Sequence, residues 1–196
     1  MEVRKDRFPR IKSDKSLYNA NHPKAVRAIL PWLKTNGYDN VDEKENYNAD
    51  IRCMKDNQPA QFELEVKKGW KAEDYPFPDV RIPYRKNRLI EKWIKEGSKG
   101  TLTFVVFNYD CSWAWFTDGN IVKDSKVVHI NNIYKDNEPF FKINLEDTKK
   151  INMKDSKKDQ NELDKVVFVN VRYPEQKDKS RSDQITDAFI NVKYPA

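Results

Sequence analysis

Asp50, Glu65 and Lys67 are three residues whose types and spacing could do chemistry together. Glu65 and Lys67 stand two apart in "QFELEVKKGW" (residues 61–70), where Phe62, Leu64 and Val66 alternate with Glu63, Glu65 and Lys67. Strict alternation is the pattern of a strand, because successive side chains point to opposite faces. One face is therefore apolar and the other charged, with neighbouring charges about 6.6 Å apart along the strand. Asp50 lies in "NADIRCM", fifteen residues before Glu65, in a segment that also reads as a strand. If the two strands pair, two carboxylates and an ammonium converge. Without a metal such carboxylates repel and tend to protonate. With one, hard oxygen ligands suit Mg²⁺ or Mn²⁺, which keeps several waters and completes its shell with substrate phosphate. The ion polarises a phosphoryl oxygen and lowers the pKa of a bound water, while a lysine beside it orients that water and offsets transition-state charge. This is equipment for phosphodiester hydrolysis. The plain alternative is an amphipathic outer strand with a solvated charged face.

Such a site needs elements to hold it. Residues 1–19 are basic and lack a period, and read as an arm. Asn21 can cap a helix with Pro23 in its first turn, and Val26, Ile29, Leu30 and Leu33 repeat at helical spacing up to Gly37. Pro31 predicts a kink or an early end, since an interior proline removes a hydrogen bond and crowds the preceding turn. Two short strands follow near residues 38–45 and 48–54, then a turn at "KDNQP", then the charged strand. Pro76, Pro78 and Pro83 predict a surface connection across "KAEDYPFPDVRIP" rather than an element. A second helix begins near Pro83 and Tyr84, carries the stripe Leu89, Ile90, Trp93 and Ile94, and ends at Gly97.

"TLTFVVFN" (101–108) reads as a strand buried on both faces, and "CSWAWFTDGNIV" as a strand entering an Asp118-Gly119 hairpin turn. "KVVHI", "FFKINL" and "VVFVNV" read as further strands, and "EDTKKINMKDSKKDQNELDK" as a solvated helix or loop. There is no internal repeat, and the tail from Pro174 carries no pattern. The expectation is one α/β domain over residues 1–196: a core at about 20–116 ordered helix, three strands, helix, strand around a mixed central sheet, and a β-rich C-terminal extension at about 117–196.

"NADI" followed by "ELEVK" in that order of elements resembles the PD-(D/E)xK nuclease superfamily, which includes restriction enzymes, junction resolvases and phage nucleases. The resemblance covers roughly residues 20–116 and implies a restriction-endonuclease-like core. It implies that Asp50 and Glu65 bind Mg²⁺ or Mn²⁺, that the Val66 main-chain carbonyl completes the site, and that Lys67 acts on the attacking water. Ala49 stands where the name-giving proline would be, and "HPKAVRAILPWLK" lacks the carboxylate that many members place on the first helix. A third acidic ligand would come from Glu63, from the Asp42–Glu45 stretch, or from nowhere, which leaves the number of metals open. Relatives that cut both strands often pair, so a homodimer is among the expectations.

The substrate would meet "VRIPYRKNRLIEKW", which gathers Arg81, Tyr84, Arg85, Lys86 and Arg88 near the start of the second helix. Arginine offers bidentate phosphate contacts, and Arg85 and Lys86 lie nearest the helix start; the alternative is a solvated helix face. Trp70 either stacks on a base or packs in the core, and Trp113 and Trp115 read as core. His22 and His129 are far apart in sequence without a cysteine at metal spacing, which argues against a zinc site and favours ordinary structural readings for both. Five glycines leave little for a phosphate loop, and no serine or cysteine nucleophile motif occurs.

Thirty-seven Lys and Arg against 31 Asp and Glu give a formal charge of +6, which suits a polyanionic partner, and 12% aromatic residues argue against wholesale disorder. Two cysteines are too few for a disulfide framework, no apolar signal region follows "MEVRKDRFPR", and no run approaches the roughly 18 apolar residues of a membrane span. The expectation is a cytoplasmic protein, cellular or viral, not held in a membrane. The function expected is a metal-dependent nuclease, endonucleolytic, with DNA favoured over RNA. Its rivals are a non-catalytic nucleic-acid-binding protein on a nuclease-like fold and a protein-interaction module.

Overall fold

The computed structural model describes residues 15–43, 49–131 and 136–154. Helix α1 (Lys15–Thr35) precedes strands β1 (Asp39–Asp42), β2 (Ile51–Lys55), β3 (Gln58–Val66) and β4 (Asp79–Pro83). A 3-10 turn (Tyr84–Lys86) leads into α2 (Asn87–Lys95). Then come β5 (Thr101–Phe107), β6 (Trp113–Asp118), α3 (Gly119–Asp124), β7 (Lys126–Ile130), β8 (Glu138–Asn144) and β9 (Lys149–Asn152). Six strands form a mixed sheet in the order β1-β2-β3-β5-β6-β9, and three form a second sheet, β4-β8-β7. The pairing of β3 with β5 is parallel and the other pairings are antiparallel. The chain is thus α/β, and among the described residues no helix is long and apolar enough to cross a membrane.

Alternation along the strands makes two cores. Phe62 and Leu64 of β3, with Val105 and Phe107 of β5, pack under Ala25, Val26, Ile29 and Leu33 of α1. Leu102, Phe104 and Val106 of β5 point the other way, onto Leu89, Ile90 and Trp93 of α2, Val122 of α3, and Val80, Ile82, Phe141 and Ile143 of the second sheet. β5 is therefore buried on both faces, as its unbroken apolar run predicts, and each large side chain so buried contributes about 1.5–3 kcal/mol. Both long helices end alike: Tyr38 and Ser98 amides donate to Leu33 and Trp93 carbonyls, with Gly37 and Gly97 at positive φ. This is the left-handed C-terminal cap expected of glycine there.

Four expectations are corrected. α1 begins at Lys15, so Asn21 is not its cap, and it passes through Pro31 to Thr35. Residues 79–83 are a strand: β4 lies at a sheet edge with Pro83 as its last residue, where a missing N–H costs no ladder bond. Asp118-Gly119 is not a hairpin turn, because Asp118 caps α3 by accepting the Asn120 amide at 2.8 Å. Lys149–Asn152 is a lysine-bearing edge strand on β6, where charge keeps an open edge from pairing further. "VVFVNV" and the tail lie outside the described residues.

Candidate functional site

The site grows from the parallel ladder between β3 and β5. Glu63 lies across from Phe104 and Glu65 across from Val106, which puts both carboxylates on the α2 side of the sheet, opposite the α1 core. Asp50 sits one residue before the Ile51↔Phe62 pair that ends the β2–β3 ladder. Its Oδ2 accepts the Leu64 amide at 2.7 Å, so the side chain satisfies a donor next to the end of the ladder. Its Oδ1 lies 3.8 Å from His22 Nδ1 of α1. Asp50 and Glu63 are each 7% exposed.

Two lysines enter this group. Lys67 donates to Glu65 Oε1 at 2.5 Å. Lys86, at the end of the 3-10 turn and only 8% exposed, reaches back to β3. Its Nζ lies 3.0 Å from Glu63 Oε1 and 3.6 Å from Glu65 Oε2, and donates to the Leu64 carbonyl at 3.2 Å. Burial pushes the Glu65 carboxyl up, but the Lys67 and Lys86 ammoniums outweigh it and hold the group at about 2. Burial pulls Lys86 down, and Glu65, Glu63 and Asp50 together raise it above its ordinary value. Glu63 moves up: burial is the main cause, Lys86 opposes it, and the Asp50 charge adds to it.

Three carboxylates thus share two ammoniums. Two of their oxygens, Glu63 Oε2 and Glu65 Oε2, are buried and accept no hydrogen bond. Buried carboxylate oxygens without a donor are costly, and a hard divalent cation is the partner such oxygens suit. On that observation the residues fit Mg²⁺ or Mn²⁺, although among the described residues no three or more His, Cys, Asp or Glu side chains are grouped to hold a metal by themselves. Val66, last in β3, stands between Glu65 and Lys67. Asp42 pairs with Arg52 at 2.7 Å, and residues 44 and 45 lie outside the described residues.

The basic residues divide. Lys86 lies inside the acidic cluster rather than along an open face. Arg85 is exposed and 3.5 Å from Glu138, while Tyr84 is exposed with its ring against Phe141. Arg88 is exposed on α2 near enough to act on Glu63, and Arg81 of β4 donates to buried Asp79 at 2.5 Å. Trp70 is fully buried and packs edge-on against Tyr75, so it belongs to the core and does not stack on a base here.

Lys86 and His22 are the members of the cluster that residue types and spacing along β3 do not reveal. A signal existed for both. Lys86 shares helical spacing with Ile90 and Trp93, and His22 with Val26, Ile29 and Leu33, so each polar residue continues a buried apolar stripe. A polar residue on such a stripe needs a partner. No protein-family model matches this chain, and no curated protein matches it either.

Proposed function

We propose that this chain is a metal-dependent nuclease of the PD-(D/E)xK type, hydrolysing phosphodiester bonds within nucleic acid, DNA in preference to RNA. The observation that carries this reading is the clustering of Asp50, Glu63, Glu65, Lys67 and Lys86 at one end of β3, with two buried carboxylate oxygens that accept no hydrogen bond. The order α1, β1 to β3, α2, β5 supports a restriction-endonuclease-like core, to which β4 adds a strand of the second sheet. Asp50 and Glu65, with the Val66 carbonyl, would hold Mg²⁺ or Mn²⁺, which when bound supplies a polarised phosphoryl oxygen and a water of lowered pKa.

The chain's own groups do the rest. Glu65, held at about 2 by its two lysines, is ionised at any working pH and ready to act as a ligand. Lys67, hydrogen-bonded to Glu65, orients the attacking water and offsets charge on the phosphorane oxygens. Lys86 fixes Glu63 and Glu65 from the α2 side and keeps their charges together. Arg85 and Arg88, near enough to act on Glu65 and Glu63, would hold substrate phosphate together with Arg81 of β4 and Tyr84 of the turn after it.

Incubation with linear, circular and branched DNA, with and without Mg²⁺ or Mn²⁺, tests the reading. Glu65→Gln keeps the shape and removes the charge, so turnover collapses while the fold persists. Lys67→Ala leaves the oxygen ligands in place and slows cleavage by about a hundredfold or more. Cleavage by Lys67→Ala at the parent rate would reduce β3 to an amphipathic strand. A parent chain that retains nucleic acid on a gel and cuts none of these substrates is the non-catalytic binder instead.

A further inference from the structure

The second sheet carries a row of like charges. Arg81 of β4 lies directly across from Lys142 of β8, and Lys142 directly across from Lys126 of β7. Lys142 and Lys126 are exposed and Arg81 is half-exposed. Like charges directly opposite one another destabilise a sheet. Among the described residues one carboxylate is paired with the row: buried Asp79, 2.5 Å from Arg81 and 3.8 Å from Lys142, at one end. The other face of the same strands is apolar, with Val80, Ile82, Phe141 and Ile143 in the core, so the row is fixed facing outward.

The row also has a direction. β4 runs through Pro83 into the 3-10 turn that ends at Lys86, whose Nζ lies 3.0 Å from Glu63 Oε1 and 3.6 Å from Glu65 Oε2. The Arg81 end therefore lies on the strand that leads to the acidic cluster, and the Lys126 end lies two strands away. At about 4.8 Å per strand the row spans roughly 10 Å, which faces about three successive phosphates of one duplex strand at roughly 3.4 Å of rise each.

We propose that Arg81, Lys142 and Lys126 form a phosphate track that lays a nucleic-acid strand across the second sheet and delivers it to Glu65 and Lys67. The identity of the polyanion rests on the nuclease reading. The complementarity is of charge: three cations in line share Asp79 as the one carboxylate paired with them among the described residues, and a phosphodiester backbone laid along the row adds the anions they attract. The long lysine stems let the track follow a backbone without reading its bases.

The test is binding of full-length chain to a labelled duplex in EDTA, where no cleavage intervenes, over a range of monovalent salt. In Lys126→Ala/Lys142→Ala the slope of log affinity against log salt should fall by about 1.8, roughly 0.9 for each lost contact. Lys126→Arg/Lys142→Arg should keep the parent slope, because the charge is conserved. The thermal midpoint of the alanine pair should stay close to that of the parent, since Asp79 keeps Arg81 at 2.5 Å as its partner. An unchanged slope in the alanine pair, or an equal loss in the arginine pair, overturns the track. Failure of the two readings is distinguishable: a chain that cuts DNA but whose alanine pair binds like the parent loses only the track. A chain that binds through these lysines and cuts nothing loses only the nuclease.

Discussion

Removing the Lys86 ammonium would leave Asp50, Glu63 and Glu65 with Lys67 as the one lysine beside them. In the parent, Glu65 is held at about 2 against an ordinary value of 4.5, so its stabilising contribution is complete above pH 4.5 and is lost as pH falls from there toward 2. In Lys86→Met, burial and mutual repulsion act on Glu63 and Glu65 with less to oppose them, and their values rise. A carboxyl whose folded value is raised contributes stability below its unfolded value and loses it as pH rises through the folded one. The variant should therefore be less stable than the parent by about 3–5 kcal/mol at neutral pH, the usual effect of stripping one partner from a buried ion pair. The deficit should shrink toward pH 4.5, as read by urea denaturation; a deficit flat with pH would mean that Lys86 acts by packing alone. The proximity of Glu65 and Lys67 was legible because strand geometry fixes the reach of alternate residues. For Lys86 the spacing to Ile90 and Trp93 marks an inward side chain, but its reach back to Glu63 and Glu65 follows only from the 3-10 turn that precedes α2.

At the scale of elements, the site depends on β5 lying tightly along β3, and that join passes through Gly100. Its φ is +68°, and a Cβ there would sit 1.6 Å from the Pro59 carbonyl oxygen, immediately before the Ala60↔Thr101 pair that opens the parallel ladder. Gly100→Ala combines left-handed strain with a backbone clash, so it should cost about 2 kcal/mol or more and lower the thermal midpoint by roughly 4–8 °C. Retention of the parent midpoint would show that the β3–β5 join adjusts freely. The elements that the sequence displayed well are those whose burial is one-sided or complete: α1, α2, β3 and β5 follow from periodicity and unbroken apolar runs. β4 and β9 were hidden because edge strands tolerate proline and lysine, residues that otherwise signal a loop. The Asp118-Gly119 pair misled because the same two residues serve a hairpin or a helix cap. The choice depends on tertiary packing: a Cβ at Gly119 would come within 3.0 Å of Leu102, so glycine lets α3 pack closely on β5.

Taken whole, the chain carries +6, yet its buried acidic cluster holds three carboxylates against two ammoniums. The two charge patterns serve opposite guests. The basic surface draws a polyanion and is screened by salt, whereas the buried carboxylates act over a few ångströms and are screened far less. Adding Mg²⁺ in the absence of nucleic acid isolates the second pattern. At a concentration a hundred times its dissociation constant the cation should stabilise the parent by about 2.7 kcal/mol, a rise of roughly 5–10 °C in a domain of this size. Glu65→Gln should lose most of that rise, since it removes the charge between Lys67 and Lys86. Lys67→Ala should keep it, and should reach it at lower Mg²⁺, because the ammonium that now occupies Glu65 Oε1 competes with the cation. Raising monovalent salt should weaken nucleic-acid binding in all three proteins and leave the Mg²⁺ rise of the parent largely in place. If Glu65→Gln and Lys67→Ala respond alike, or if neither Mg²⁺ nor Mn²⁺ moves the parent, Lys67 and Lys86 are the permanent counter-ions of a structural cluster rather than neighbours of a metal.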